Sequence, residues 1–309
     1  MHSQFDAALA RRQADMVGLD SVCRHESDYP AALLDPLDAP RMLYLHGERR
    51  HLERLQSDPA VAVVGSRRPS DYGTEVAYSL GLNLSSCGVV VVSGMAFGID
   101  SAAHEGGLNG GGRSTIAVLG SGADVPYPRS KRRLYGRIVS EGLVVSEMPP
   151  GFEPFRWCFP ARNRIMAALA TMTIVVEGTP KSGSLITAHL AADLGKEVGA
   201  VPGQVTSAQA MGPNGLLADG ACVVRSVADV LDVIYGPGSA AAGRAERSAV
   251  PDLNETLRAL LGAIERGRCS PDAMASNPAE VPEILAGLTE LELMGLVRRA
   301  ADGRYVRCA

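Results

Sequence analysis

From Val61 onward, the chain alternates between short apolar runs and longer stretches with helical periodicity. Several of the apolar runs are rich in Val, Ile and Leu and are followed directly by Gly or Ser. Continuous apolar strands separated by helices are typical of a parallel sheet, because the crossover helices bury both of its faces. The pattern therefore predicts a doubly wound, Rossmann-like α/β sheet. The seven predicted strands are Val61–Val64, Val89–Val92, Thr115–Leu119, Leu143–Val145, Thr173–Val176, Val198–Val201 and Cys222–Val224.

The pattern differs on both sides of this region. The N-terminal residues carry prolines among their apolar positions, which is typical of an extended lead-in at the edge of a sheet. Beyond Tyr235, the segment GPGSAAAGRAERSA has too few large apolar residues for a core. The remaining residues show three helical stretches and a hairpin signal at Asp302-Gly303. The predicted parts are an N-terminal lead-in with a short helical extension, a Rossmann-like domain, a flexible linker and a small winged-helix domain, at residues 1–55, 56–235, 236–251 and 252–309.

The composition is that of a globular protein, with 46% hydrophobic residues, 21% charged residues and 34 glycines. The six cysteines lie far apart without a CxxC pair, and the six histidines show no ligand spacing. We therefore expect neither a disulfide framework nor a bound metal ion. No apolar run approaches the roughly 18 residues of a membrane span, and the N-terminus lacks a basic and then apolar signal. These features predict a cytoplasmic protein without a membrane partner.

The net charge is −4, which argues against a basic surface that binds nucleic acid without regard to sequence. The arginines nevertheless cluster in the middle third of the chain. This clustering predicts a local positive groove on an otherwise acidic protein. The clustered cations are Arg67, Arg68, Arg129, Lys131, Arg132, Arg133, Arg137, Arg156, Arg162 and Arg164.

Small polar residues and cations follow the predicted strands. Ligands of doubly wound sheets bind beyond the carboxyl ends of the strands, where helix N-termini offer backbone amides to anions. Arginine binds a phosphate through two hydrogen bonds, and glycine lets the chain approach a ligand closely. Each cluster also has a simpler interpretation as a helix cap with solvated arginines. The candidate phosphate-binding residues are Gly65, Ser66, Arg67, Ser93, Gly94, Arg162, Asn163, Arg164, Lys181, Ser182, Gly183, Ser184 and Thr187.

The glycine motifs do not favour a nucleotide cofactor. Gly65-x-Arg67 departs from the GxGxxG pattern at its second glycine, and Gly183-Ser184 lacks the lysine that a P-loop requires. Catalytic motifs are equally weak, because no nucleophile is paired with a base. We expect capping or structural roles for the acid and base candidates Asp100, His104, Glu147 and Glu177, and a packing role for Trp157.

Six stretches of the chain form an ordered set of motifs. They are VAVVGSRRPSDYG, VVSGMAFGIDSAAHEGGL, IAVLGSGADVPYP, SEMPPGFEPFRWCFPARNRIMAALA, VVEGTPKSGSLITAHLAADLGKEVGAVPGQ and GPNGLLADGA. In this order they resemble the DNA-processing protein A (DprA/Smf) family, and the resemblance extends from about Tyr29 to Asp232. The C-terminal region is similar, through weaker motifs, to the winged helix that many members carry.

The resemblance implies a protein that is not an enzyme, needs no cofactor and binds single-stranded DNA in natural transformation and homologous recombination. Members protect incoming DNA and load RecA onto it over single-strand-binding protein. They form homodimers through the Rossmann-like domain. Many members also have a fuller helical N-terminal domain, whereas about 28 residues precede Tyr29 here. No role of that domain is therefore carried over to this chain.

The family's binding residues correspond to three parts of this sequence. The arginine that grips phosphate after the first strand corresponds to Arg67. The FPxRNRI segment corresponds to Phe159–Ile165, and the SGSLITA segment to Ser182–Ala188, with Lys181 just before it. Because the motifs contain no run of aromatic residues, we expect weak base stacking and little sequence preference.

Two alternatives belong to other functional classes. A Rossmann-like nucleotide phosphoribohydrolase would need a PGGxGTxxE stretch, and the residues from Glu177 to Ser184 do not follow that order. A winged-helix transcription regulator would bind duplex DNA through residues 252–309, where four arginines lie near the predicted hairpin: Arg298, Arg299, Arg304 and Arg307.

Overall fold

The computed structural model describes residues 6–34, 38–111, 115–238, 254–265, 269–275, 277–294, 296–299 and 305–307. The chain divides into two compact units, residues 1–240 and 241–309. From residue 239 onward, the predicted linker 236–251 lies outside the described residues, and so does the predicted turn at Asp302-Gly303. The four predicted domain boundaries stay predictions.

One sheet of nine strands forms the centre of the first unit. The strands are β1 (Asp20–Cys23), β2 (Met42–Gly47), β3 (Ala60–Val64), β4 (Val90–Ser93), β5 (Thr115–Leu119), β6 (Leu143–Ser146), β7 (Met172–Val175), β8 (Glu197–Ala200) and β9 (Cys222–Val223). Their spatial order is β1-β2-β6-β5-β4-β3-β7-β8-β9, and β3 to β9 pair in parallel. The chain therefore winds outward from β3 in both directions, and the doubly wound fold is confirmed.

The seven predicted strands are all present, and each predicted boundary lies within one residue of the observed one. The prediction did not identify β1 and β2 as strands. β2 pairs antiparallel with β6 in the register Tyr44 to Ser146, and β1 pairs antiparallel with β2. The extended lead-in thus adds two strands to the sheet instead of only packing against its edge.

Helices cover both faces of the sheet. They are α1 (Ala7–Asp15), α2 (Arg50–Glu53), α3 (Asp71–Ser86), α4 (Ile99–Asn109), α5 (Arg132–Glu141), α6 (Cys158–Leu169), α7 (Gly183–Asp193), α8 (Met211–Ala218) and α9 (Val227–Tyr235). β3 shows how the two layers form: Ala62 and Val64 pack with α6 and α7, whereas Val61 and Val63 pack with α3 and α4. All four are buried, since successive side chains of a strand point to opposite faces.

The second unit contains three helices and an antiparallel pair of short strands in its described residues. They are α10 (Glu255–Glu265), α11 (Pro271–Met274), α12 (Val281–Leu293), β10 (Val297–Arg299) and β11 (Tyr305–Arg307). Leu288 and Leu291 of α12 are fully buried against Leu257 and Leu261 of α10. These element types and their order agree with the sequence pattern, whereas the winged-helix assignment stays a prediction.

The described helices of both units are short, and the longest of them, α3, has 16 residues. None of them is long and apolar enough to cross a bilayer.

Candidate nucleic-acid interface

A cavity of about 40 Å³ opens beyond the carboxyl ends of β3, β4 and β5. Its wall combines the loops after these three strands with the first turns of α6 and the segment before α5. It is lined by Arg67, Gly94, Ala96, Phe97, Leu119, Gly120, Ser121, Tyr127, Pro128, Phe159 and Arg162. The structure thus brings together the carboxyl ends of three strands at one edge of the sheet, which we call the carboxyl rim.

Arg67 is the exposed cation of this cavity. Its guanidinium carbon lies 5.4 Å from the centre of the Phe159 ring, in a cation–π contact. Arg67 forms no ion pair with any residue that the structure describes. The contact with Phe159 orients the guanidinium and leaves its N–H donors available to an anion.

The loop that carries Arg67 depends on Gly65 and Ser66. A Cβ atom at Gly65 would lie 2.6 Å from Cγ1 of Ile99, so only glycine lets β3 end against the start of α4. Ser66 is buried, and its hydroxyl accepts a hydrogen bond from the backbone amide of Arg68 at 3.1 Å. Gly65 and Ser66 shape the loop, and Arg67 is its exposed charge.

Arg162 is only 5% exposed and lies at the inner wall of the cavity. Its Nη1 donates to the carbonyl of Gly94 at 2.5 Å and to the carbonyl of Val118. Its Nη2 lies 3.7 Å from a carboxylate oxygen of Asp100. A Cβ atom at Gly94 would come within 2.1 Å of this guanidinium, which explains the glycine after β4. Arg162 is therefore held inside the protein.

Burial changes the acid–base properties of this inner cluster. It raises the pKa of Asp100 above its ordinary value, and the charge of Arg162 partly offsets the effect. Burial also lowers the pKa of His104 to about 3, with a further contribution from Arg162. His104 lies beside the hydroxyl of Thr115, with Nδ1 at 2.7 Å from Oγ1. The cluster thus contains one buried ion pair, whose charged forms burial disfavours, and one neutral histidine.

Asn163 and Ser93 are also engaged within the fold. The amide of Asn163 donates to the carbonyl of Gly183 at 3.2 Å, and its carbonyl accepts from Nε of Arg162 at 3.1 Å. Asn163 therefore joins α6 to the first residue of α7. Ser93 is fully buried and donates its hydroxyl proton to the carbonyl of Val63 at 2.6 Å, which ties β4 to β3.

Arg164 does not line the cavity. Its Nη2 lies 2.5 Å from Oε2 of Glu147, and its Nε lies 2.9 Å from a carboxylate oxygen of Asp38. Burial raises the pKa of Glu147, and Arg164 opposes that shift. Arg164 thus links α6 to the end of β6 and to the N-terminal region.

The start of α7 presents a second cation. Lys181 is exposed and forms no ion pair with any described residue. Ser182 caps the helix, with its hydroxyl 2.8 Å from that of Ser184, while Gly183 is exposed with open space beside it. Thr187 is buried one turn later and does not face solvent. The helix cap is present, and Lys181 extends from it into solvent.

The N-terminus of α3 holds an anion from the protein itself. Both the backbone amide and the hydroxyl of Ser70 donate to the carboxylate of Glu177, at 2.8 and 2.6 Å. A Cβ atom at Gly73 would lie 2.4 Å from the same carboxylate. Dinucleotide-binding Rossmann folds place a pyrophosphate at this turn. Glu177 occupies the equivalent position here, which agrees with the missing GxGxxG pattern.

The sequence interpretation missed the aromatic residues of this edge. Tyr127 and Phe159 line the cavity with their ring centres 5.3 Å apart. Trp157, interpreted above as a packing residue, is 56% exposed, and Phe155 is 59% exposed. That interpretation of Trp157 is wrong. The triplet Phe155-Arg156-Trp157, with two aromatic residues around an arginine in a loop rich in Pro and Gly, is a signal that could have identified them.

Comparison with known proteins agrees with the family resemblance. A family model described as DNA recombination-mediator protein A matches residues 20–235. The chain is 34% identical to protein Smf of Synechocystis sp., over 91% of this chain and 78% of that protein. It is 43% identical to the DNA processing protein DprA of Streptococcus pneumoniae, over 66% of this chain and 70% of that protein.

Two solved structures have the same fold. The X-ray structure of DprA from Streptococcus pneumoniae has a TM-score of 0.67 at 40% identity, covering 74% of this chain and 78% of that one. DNA processing protein A from Helicobacter pylori, solved to examine its single-stranded DNA binding mode, has a TM-score of 0.63 at 29% identity, covering 71% and 96%. By the match of its sheet domain and these relatives, the chain belongs to the DNA recombination-mediator protein A family.

Proposed function

We propose that this protein binds single-stranded DNA along the carboxyl rim of its sheet. The observation that carries the proposal is the exposed guanidinium of Arg67, which is free of ion pairs with described residues and stacks on Phe159 at the mouth of the cavity. Family membership and the single-stranded DNA binding of the Helicobacter pylori relative support the same ligand.

Two cations provide the phosphate contacts in this proposal. Arg67 offers a planar fork of donors that suits a phosphate, and Lys181 offers a compact positive charge. They follow β3 and β7, which pair directly in the sheet, so their loops are neighbours at the rim. The first turn of α7, which begins at the exposed Gly183, adds backbone amides beside Lys181. Two cations on neighbouring loops would each contact a separate phosphate of one strand.

The remaining candidate residues position these contacts. Arg162 and Asn163 hold the cavity wall and the start of α7 through the hydrogen bonds described above. Arg164 anchors α6 to Glu147 and Asp38, so it contacts no phosphate. Gly65, Gly94 and the serines give the loops their shape.

We also propose that the protein is not an enzyme. The carboxylates of Asp100 and Glu177 are engaged with Arg162 and Ser70, which leaves neither of them free to accept a proton from a ligand. Family resemblance extends the proposal further: the protein protects incoming single strands and loads RecA onto them over single-strand-binding protein, in natural transformation and homologous recombination. It does so as a homodimer formed through the Rossmann-like domain.

The test is the binding of fluorescent oligo-dT, and of a matched duplex, to the full chain across a salt series. The wild type should prefer the single strand. Affinity should fall with salt by a log–log slope of roughly −0.7 for each phosphate contact, so Arg67→Ala/Lys181→Ala should flatten the slope by about 1.4. Arg50→Ala removes the same charge as Arg67→Ala from a side chain that is 67% exposed on α2, and it should leave the slope unchanged.

Two results would overturn the proposal. Equal affinity and slope in the double variant and the wild type would show that Arg67 and Lys181 contact no phosphate. Preference for the duplex would instead direct attention to the C-terminal unit.

A further inference from the structure

The loop before α6 displays two large aromatic rings to solvent. Phe155 is 59% exposed and Trp157 is 56% exposed, although they are separated by a single residue. Apolar rings of this size are normally buried, and adjacent exposed rings mark a binding surface more often than isolated ones do. No contact described above for the cavity or the core requires either ring.

Hydrogen bonds at both ends hold this loop against the cavity. The amide of Gly122, which follows the cavity residues Gly120 and Ser121, donates to the carbonyl of Phe152 at 2.8 Å. The amide of Gly151 donates to the carboxylate of Asp124 at 2.9 Å. At the other end, the amide of Cys158 donates to the carbonyl of Phe155 at 3.1 Å. The loop therefore lies next to the cavity, and these hydrogen bonds fix its backbone.

The two exposed rings share one support. Phe152 makes edge-to-face contacts with Phe155 and with Trp157, at ring-centre distances of 5.8 and 6.4 Å. Such contacts hold aromatic side chains in defined orientations. The rings are thus positioned before a ligand arrives, and little side-chain freedom would be lost when one binds.

The charges near the rings favour a polyanion over an apolar protein surface. Arg156 lies between the rings in sequence, is exposed and forms no ion pair with any described residue. Glu153 is paired with Arg129 at 2.9 Å, and the Asp124 carboxylate accepts the amide of Gly151. The loop therefore presents one unpaired positive charge together with two aromatic rings. Proteins that bind single strands combine these two features, because every base has a face that stacks.

We propose that Phe155 and Trp157 form a base-stacking surface that extends the Arg67 cavity, with Arg156 contacting a phosphate of the stacked strand. The proposal rests on the proposed function. It adds a surface for the bases to a site in which Arg67 and Lys181 contact only phosphates. It also replaces the expectation of weak stacking that followed from the motifs.

The chain contains a single tryptophan, so its fluorescence reports on this site alone. Oligo-dT should quench Trp157 emission with the same midpoint as its binding measured by anisotropy. An oligomer of equal length with abasic sites keeps the phosphates without the bases, and it should bind more weakly without quenching. Phe155→Ala and Trp157→Ala should each weaken oligo-dT binding by about 5- to 20-fold and leave abasic binding unchanged.

Tyr235→Ala is the matched control. Tyr235 is 52% exposed at the end of α9, and a helix that follows a parallel strand ends at the sheet edge opposite the carboxyl rim. This variant should bind oligo-dT like the wild type. Trp157→Phe should keep most of the affinity, because it keeps a stacking ring.

The outcomes separate this inference from the proposed function. Wild-type binding of oligo-dT without quenching, with full affinity in both alanine variants, would overturn the stacking surface and leave the Arg67 site intact. No binding of oligo-dT by the wild type would overturn both. A loss of dimerisation in Trp157→Ala with unchanged oligo-dT affinity would assign the rings to a protein interface and overturn the stacking role.

Discussion

The sequence marks both Arg67 and Arg162 as candidate phosphate-binding arginines, yet the structure exposes the first and buries the second. Arg67 is exposed, pairs with no described acidic residue and rests on one aromatic ring. Arg162 is buried and donates to two carbonyl groups beside Asp100. The difference shows that an arginine is available to a ligand only when the protein leaves its donors unsatisfied. The same residue type is therefore exposed to solvent in the loop after β3 and structural in α6.

Removal of Arg162 should have the largest effect on stability. Arg162→Ala leaves the carboxylate of Asp100 buried without its partner, which should lower the free energy of unfolding by about 3–5 kcal/mol. Arg67→Ala should change it by less than about 0.5 kcal/mol, because that side chain is exposed. Denaturant unfolding of both variants measures the contrast. Equal losses in the two variants would contradict the distinction between a buried and an exposed arginine.

The inner cluster should also make stability depend on pH. The pKa of His104 is about 3 in the folded protein, below that of an exposed histidine, so the unfolded chain takes up a proton first as the pH falls. Stability should therefore decrease between about pH 6.5 and pH 3, by at most about 1.4 kcal/mol for each pH unit from this group. His104→Gln should reduce that slope, because it removes the titrating group. An unchanged slope in His104→Gln would show that His104 is not neutral in the folded state.

The glycines around the rim should respond according to the space beside them. Gly73→Ala places a methyl group 2.4 Å from the carboxylate of Glu177 and should destabilise the protein by about 1–3 kcal/mol. Gly183→Ala meets open space at the start of α7 and should be neutral or stabilising. Thermal unfolding of the two variants gives the comparison. A neutral Gly73→Ala would mean that Glu177 does not occupy the N-terminus of α3.

Arg164→Ala should have the smallest effect on oligo-dT binding, and it sharpens the comparison with Arg67. Arg164→Ala leaves the carboxylate of Glu147, whose side chain is 15% exposed, without its cation, so stability should fall by about 1–3 kcal/mol. Oligo-dT affinity should remain within about twofold of the wild type, because no phosphate contact is lost. Anisotropy titration beside Arg67→Ala measures this difference. A loss of affinity equal to that of Arg67→Ala would return Arg164 to the set of DNA contacts.

Local pattern was sufficient to locate most of the sheet. The runs of β3, β5 and β7 are apolar on both faces, so their strand character did not depend on their partners. β2 was missed because it joins the sheet by pairing with β6, about 100 residues further along the chain, and β1 was missed because it joins only through β2. No local pattern specifies such a partner.

The sequence predicted where the candidate site lies more completely than it predicted the role of each residue in it. Arg67, Lys181 and the cap at Ser182 follow directly from loop chemistry at strand ends. The roles of Asn163 and Arg164 depend on Gly183, Asp38 and Glu147, which come close only when the sheet and its helices pack. The exposure of Trp157 likewise depends on where the loop before α6 lies.

The sequence by itself determined the order of strands and helices from β3 onward, the position of the glycine-rich loops and the family, because these depend on residue type and spacing along the chain. The tertiary structure alone decided which arginines are free, that Glu177 occupies the N-terminus of α3, and which aromatic rings face solvent. The physical reason is that availability to a ligand depends on burial and on satisfied hydrogen bonds, and both are properties of groups brought together from distant parts of the chain.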